Sequence, residues 1–184
     1  MINLEIGKKK YKIPQNWDEI SIGKFQEMMN IPDDLVKKEY FLKVVCVLGS
    51  IPYDEFKQVP YYEFTKLEDE LTFVFDKLPE EIKTEWTFDG KTYKYYSDFS
   101  KITTGEYIDL DGMSKDTENL HLLLAIAYRE TDEYNSDEVG ERAKIFKEHM
   151  PVSVAIAAKI FFSLNEIVYS RNILGYSDKT PVKS

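Results

Sequence analysis

The sequence predicts an α+β fold, mostly helical, in which two β-hairpin plus helix units are related as an internal repeat and a C-terminal helical pair follows. Three observations carry this. At an offset of 82 positions (93 − 11 = 82), Lys9, Tyr11, Lys12, Ile20 and Gly23 fall on Lys91, Tyr93, Lys94, Ile102 and Gly105. Apolar and polar residues alternate on both sides of a turn in each copy, the pattern of a half-buried hairpin. The spacing then switches to helical after each hairpin. The chemistry between the identities matches too: Asn16 against Asp98, Trp17 against Phe99, Ser21 against Thr103, Phe25 against Tyr107 and Met28 against Leu110. Phe41, Leu42, Val44 and Val45 continue onto Leu123, Leu124, Ile126 and Ala127 without a gap. The boundaries are residues 1–80 for the first unit, 81–176 for the second with the C-terminal helices, and 177–184 for a tail, the two units forming one compact domain. A duplicated unit of this kind reads as a scaffold for contacts.

Ile2, Leu4 and Ile6 alternate with polar residues, Gly7 to Lys10 supply a turn, and Tyr11 and Ile13 resume the alternation. In the second copy Trp86 and Phe88 precede Asp89-Gly90, a strong two-residue hairpin signal, and Tyr93 and Tyr95 follow. A short helix opens at Ser21 in one copy and at Thr103 in the other. Thr103-Thr104-Gly105-Glu106 has the spacing of a capping box, in which hydroxyl and carboxylate each satisfy an orphan amide. Gly23 and Gly105, retained in the first turn despite the helix cost of glycine, are expected where close packing leaves no room for a side chain.

Asp33 or Asp34 is expected to cap a helix through about Leu48, with its counterpart over Leu120 to Arg129. Tyr61, Phe64, Leu67, Leu71, Val74, Phe75 and Leu78 keep helical spacing up to Pro79 and read as a core-facing stripe. Asp137 to Met150 reads as a charged helix. Pro151 then starts another, apolar nearly all round to about Leu174 and including Ile160, Phe161 and Phe162. The tail from Tyr176 is polar.

A formal charge of −9 argues against a nucleic-acid-binding face, which needs clustered Lys and Arg. Lys8, Lys9 and Lys10 form the only dense basic run and read as a solvated turn. The lone cysteine, Cys46, excludes an intrachain disulfide and a thiolate zinc site and reads as a packed core thiol. No segment has the apolar length of a membrane span, and the N-terminus lacks a signal-peptide pattern. Neither a membrane nor a nucleic acid is expected as a partner.

No residue pattern names a reaction. His121 and His149 have no histidine partner at helical spacing, and no glycine-rich phosphate loop occurs. Asp109-Leu110-Asp111-Gly112 lacks the ligand spacing of a calcium loop and reads as a helix stop followed by a turn. The acidic run from Glu130 to Glu138 reads as a solvated connection. Catalytic, cofactor and metal residues are therefore expected to be none. Thirteen Tyr and eleven Phe fit surfaces that are wet in one state and covered in another, and core filling in a small α+β domain explains most of them equally well. Tyr11, Trp17, Gly23, Tyr93, Phe99, Gly105, Ile160, Phe161 and Phe162 are the structural or interface candidates.

The string Asp98-Phe99-Ser100-Lys101-Ile102-Thr103-Thr104-Gly105-Glu106-Tyr107-Ile108-Asp109-Leu110, with Asn119-Leu120-His121 and Leu124-Ala125-Ile126-Ala127-Tyr128-Arg129, resembles structural proteins of tailed bacteriophages, the crAss-like phages of gut Bacteroides among them. Glu141 to Phe146, Met150-Pro151 and the first-copy string Trp17 to Phe25 continue the likeness. The resemblance implies a virion component made in the bacterial host cytoplasm: a ring or adaptor subunit of the portal-tail assembly, or a particle-carried protein. Its partners would be other phage structural proteins and, in a ring, copies of itself. A tail assembly chaperone that binds the tape measure protein is the alternative within that origin. A small enzyme with an unrecognised site is the alternative outside it.

Overall fold

The two hairpins form in identical register. β1 (Ile2–Ile6) pairs antiparallel with β2 (Lys9–Ile13), placing Leu4 opposite Tyr11. β3 (Glu85–Phe88) pairs in the same way with β4 (Lys91–Tyr95), placing Trp86 opposite Tyr93. These are equivalent positions at the offset read from sequence. The computed structural model describes residues 1–75, 83–96, 101–114 and 116–155. The expected boundary at residues 80 and 81, Phe99, the stretch around Leu78, the last helix beyond residue 155 with Ile160, Phe161 and Phe162, and the tail lie outside the described residues.

Both turns are two residues long, so the first is shorter than the expected Gly7 to Lys10: Lys9 and Lys10 of β2 already pair with Ile6 and Glu5. Asp89 and Gly90 both take positive φ, at 48° and 75°, as a type I′ turn demands. In the first hairpin Gly7 alone does so, at 62°, which fits type II′ with glycine in the first central position. Both turns match the right-handed twist of the strands they join.

α1 (Ile22–Met29) and α5 (Thr104–Ser114) begin at equivalent positions, each after a hydroxyl cap. Ser21 Oγ accepts from Lys24 N at 3.4 Å, and Thr103 Oγ accepts from Glu106 N at 3.2 Å. The other half of the expected capping box does not form, because the Glu106 carboxylate is taken by Arg129. α5 also runs straight through Asp109 to Gly112, where a helix stop was expected.

α2 (Lys37–Gly49) packs on α1 and buries Phe41, Val44, Val45 and Leu48. Its cap is Val36, without a side-chain bond, and not Asp33 or Asp34. Those aspartates instead complete the turn that follows Pro32. The helix ends on Ser50, which takes the left-handed conformation at φ 52°.

α3 (Tyr53–Phe56) is one turn, and α4 (Tyr61–Glu70) gives way to a tighter 3-10 turn over Thr72–Phe75. The expected core stripe is therefore only partly core. Phe64, Leu67 and Leu71 are buried, whereas Tyr61 at its start is 64% exposed and Phe75 at its end 53%. The change from 3.6 to 3 residues per turn rotates the last positions off the buried face.

α6 (Leu120–Ala127) is shorter than α2, and the expected helix through Arg129 stops early. Tyr128–Arg129 forms β5, which adds to β4 with Tyr95 opposite Tyr128 and Lys94 opposite Arg129. Tyr96 N donates to Ala127 O at 2.9 Å, and the Tyr128 hydroxyl donates to Lys83 O, so sheet contacts win over the next helical turn. α7 (Ser136–His149), capped by Asn135, packs along α6 and buries Phe146 beneath Trp86 and Tyr93. Another helix begins at residues 152–155 after Pro151, as expected, with Val152, Val154 and Ala155 buried.

Two backbone hydrogen bonds stitch the first unit to the end of α7. Ile22 N donates to Met150 O at 3.1 Å, and Val152 N donates to Ile20 O at 2.8 Å. This bridge presses α1 against α7 at Gly23, where a Cβ would stand 2.9 Å from Lys147 O. The expectation of close packing holds there. It fails at Gly105, around which a Cβ would meet nothing within 4 Å among the described residues. Gly23→Ala should thus destabilise the protein by about 1–3 kcal/mol, because a backbone oxygen cannot swing aside. Gly105→Ala should leave it unchanged or gain up to about 1 kcal/mol from helix propensity. Urea unfolding of the two variants in dilute solution checks the opposite signs.

Candidate functional site

Two surfaces concentrate chemistry, one in each unit. In the second unit a cleft of about 620 Å³ lies between the end of β4, the start of α5 and the loop after β5. Its floor is the ion pair of Arg129 and Glu106, 2.8 Å between Nη2 and Oε1, with each side chain only 5% exposed. The Arg129 guanidinium lies over the rings of Tyr96 and Tyr134, at 4.6 and 5.6 Å from their centroids. Its Nε and Nη1 are buried without an acceptor.

The walls are tied down by further pairs. The Tyr96 hydroxyl donates to Asp132 Oδ1 and the Tyr134 hydroxyl to Asp109 Oδ2, both at 2.6 Å. The bond to Asp132 raises the pKa of Tyr96, and burial raises that of Tyr134, so both phenols keep their protons. A cleft whose acids, phenols and arginine hold one another is built to fix β5 against α5. The sequence could have flagged Arg129 as a charge ending the apolar run Leu122 to Tyr128. Its partner was hidden because Glu106 already had a local role in a capping box.

The repeat gives this pair a counterpart of opposite sign. The offset places Glu106 on Lys24, whose Nζ donates to Leu48 O at 2.5 Å, near the C-terminal end of α2. In the first unit the helix continues and its carbonyls take a cation from α1. In the second the helix stops, a strand arginine arrives, and α5 supplies an anion. The same inter-element position is filled both times.

The second surface is aromatic and lies on the first unit. Phe41, buried on α2, meets Phe64 edge-on at 5.6 Å and stacks on Phe75 at 6.1 Å, and Tyr61 stacks on Phe64 at 6.1 Å. The outer rings of this cluster, with Tyr62 and the cap residue Val36, reach solvent: Tyr61 and Tyr62 are each 64% exposed, Phe75 53% and Val36 74%. Lys37, Lys38 and Lys66 lie over the rings of Phe75, Tyr61 and Tyr62 at 6.0, 4.7 and 5.1 Å.

Other candidate positions lie inside the protein. Trp17 is buried edge-on to Phe25 and Phe73, and its indole N–H has no acceptor. Tyr93 is buried edge-on to Phe146, at 5.0 Å between ring centroids. Tyr11, at the equivalent strand position, is half-buried and donates to Glu55 Oε2 at 2.6 Å, while Lys9 Nζ holds Oε1 of the same carboxylate at 2.5 Å. Lys91, the repeat partner of Lys9, finds its own carboxylate in Glu130 at 2.9 Å.

His121 Nδ1 lies 3.2 Å from Gln26 Nε2, and the His149 ring stacks on Phe88 at 4.4 Å. Among the described residues no group of His, Cys, Asp and Glu is arranged to hold a metal ion. No helix of the described residues is long and apolar enough to cross a membrane. Compared with family models, curated proteins and solved structures, the chain gives no match.

Two outcomes follow from these geometries. Arg129→Met should lower the unfolding free energy by about 3–5 kcal/mol, because it strands the Glu106 carboxylate in a buried site. Adding Glu106→Leu should recover much of the loss, and a double-mutant cycle by urea unfolding measures it. For Cys46, burial pushes the thiol up to about 11 from an ordinary 9.0. The folded protein binds that proton more tightly than the unfolded chain, so the stability it contributes is complete below pH 9 and is lost as the pH rises towards 11. Alkylation of Cys46 by iodoacetamide at pH 8.5 should be slow in the native protein and fast in denaturant.

Proposed function

We propose that the protein is a non-enzymatic structural component of a tailed-phage particle, working by binding other proteins as a ring or adaptor subunit of the portal-tail assembly. The observation that carries the binding role is the aromatic face of the first unit. Tyr61, Tyr62, Phe75 and Val36 offer water large apolar surfaces, each more than half exposed. Rings with polar tips beneath aliphatic lysine stems are the composition of an interface that must stay soluble before assembly.

The phage origin rests on the resemblance of residues 98–110, 119–121 and 124–129, together with Trp17 to Phe25, to tailed-phage structural proteins. Those stretches supply α1, much of α5, α6 and β5, and of these α1 and α6 lie where the two units meet.

Mass spectrometry of purified particles tests the reading. Stoichiometric presence is expected of a virion subunit; absence from particles, with recovery of the tape measure protein in pull-downs from infected cells, makes it an assembly chaperone. Tyr61→Ser with Phe75→Ser should abolish capture of phage proteins while shifting the melting temperature little, since both side chains are mostly solvated. Retained capture by that variant removes the aromatic face from the proposal.

A further inference from the structure

The bonds that hold the cleft of the second unit together do not use up its donors. Arg129 gives one N–H, on Nη2, to Glu106, and its side chain is only 5% exposed. Nε and Nη1 are buried and have no acceptor among the described residues. Donors of a cation that are kept from water and left unmatched are costly, and a native site of that kind is completed by something that brings an oxygen. The space beside them, about 620 Å³, is of the size that takes a small molecule.

Charge decides what that molecule carries. The lining sets the carboxylates of Glu106, Asp132 and Glu133 against Arg129 and Lys101, in a protein whose formal charge is −9. A simple anion would meet Arg129 against repulsion from the acids around it, and a simple cation would leave the spare N–H groups as they are. A molecule with both charges answers both demands. Its cationic end has a place to go, because Asp132 and Glu133 are exposed in the loop after β5.

We propose that the cleft binds a small zwitterion of the amino-acid type, its carboxylate on Arg129 and its ammonium on Asp132 and Glu133. The ammonium is also the key to the buried donors. The Tyr96 ring covers the guanidinium at 4.6 Å, and its hydroxyl is anchored on Asp132 Oδ1 by an exposed bond of 2.6 Å. The second ring, Tyr134, is held by Asp109 of α5 through a part-buried bond and stays in place. An ammonium that takes Asp132 from the Tyr96 hydroxyl releases that ring, and the carboxylate of the same molecule then reaches the unmatched N–H groups in a charge-assisted bond. The site shares no residue with the aromatic face of the first unit and goes beyond the assembly role.

Isothermal titration calorimetry on the full-length protein tests it. The probes are glycine, β-alanine, 4-aminobutyrate and 6-aminohexanoate, which set ammonium and carboxylate progressively further apart, with acetate and ethylamine carrying one charge each. At least one of the zwitterions should bind with a Kd of about 1 mM or below, and both single-charge probes at least about tenfold more weakly. Arg129→Lys keeps a cation opposite Glu106 but removes the spare donors, and should weaken the best probe by about tenfold or more. Glu133→Gln, at an exposed position, should weaken it several-fold without moving the melting temperature. Tyr96→Phe frees the ring from Asp132 and should tighten it, which a purely structural cleft would not do. No binding of any zwitterion up to about 10 mM overturns the inference. So does acetate that binds as tightly as the best zwitterion, which makes this a plain anion site, or a Glu133→Gln protein that binds as the wild type does. Should Arg129→Lys fail to fold, Glu133→Gln and Tyr96→Phe decide the matter alone.

Discussion

The backbone bridge between residues 20–22 and 150–152 is the constraint on which the rest of the arrangement hangs. Its two hydrogen bonds join the first cap of the chain to the junction after α7, near the far end of the described residues. With Ile20, Ile22 and Val152 fully buried around it, the bonds are shielded from water and are costly to break. The bridge sets the height of α1 on α7 and so forces glycine at position 23. Asp18 extends the same seam outward, accepting at 2.5 Å from both Ser153 Oγ and Lys83 Nζ. These bonds lower the pKa of Asp18, the Lys83 contact most, and being exposed they add far less than the buried bridge.

Duplication without equivalence follows from that seam. Among the described residues one copy of the unit is clasped at its cap and the other is not, so the same secondary structure is exposed to different demands. Position 24 carries a cation served by helix carbonyls, and position 106 an anion served by a strand arginine. At positions 11 and 93 the tyrosine is kept while its role moves from a half-buried donor to a ring in the core. Local pattern is conserved between the units because it makes hairpin and helix. Charge and burial diverge because they answer to neighbours.

What was legible in the sequence is what local forces decide. The α+β class, the two-residue Asp89-Gly90 turn and the hydroxyl caps at Ser21 and Thr103 all follow from period, turn chemistry and orphan amides. Three features were not legible, each for a tertiary reason. Gly23 and Gly105 are the same residue in the same local context, and only the bridge makes one crowded and the other open. Glu106 had a satisfying local partner in Thr103, and a buried arginine outcompetes it. Tyr128 and Arg129 continue a helical pattern, but a free edge on β4 captures them as a strand. The cleft was missed with them, since it exists only once β5 has paired.

Among the described residues the first hairpin has no such third strand, and that has a consequence for how the chain survives before it is folded. Among the described residues β1 and β2 form a sheet of two strands, so unpaired amides and carbonyls run along both margins. Margins of that kind template cross-chain pairing and lead to precipitates. Here β2 reads Lys-Lys-Tyr-Lys-Ile, and the turn before it adds Lys8. Two identical β2 margins brought together would set lysine beside lysine, a repulsion acting from the moment the hairpin closes on the ribosome. The basic run read as a solvated turn thus sets like charges along the strand margin, against pairing with its own kind.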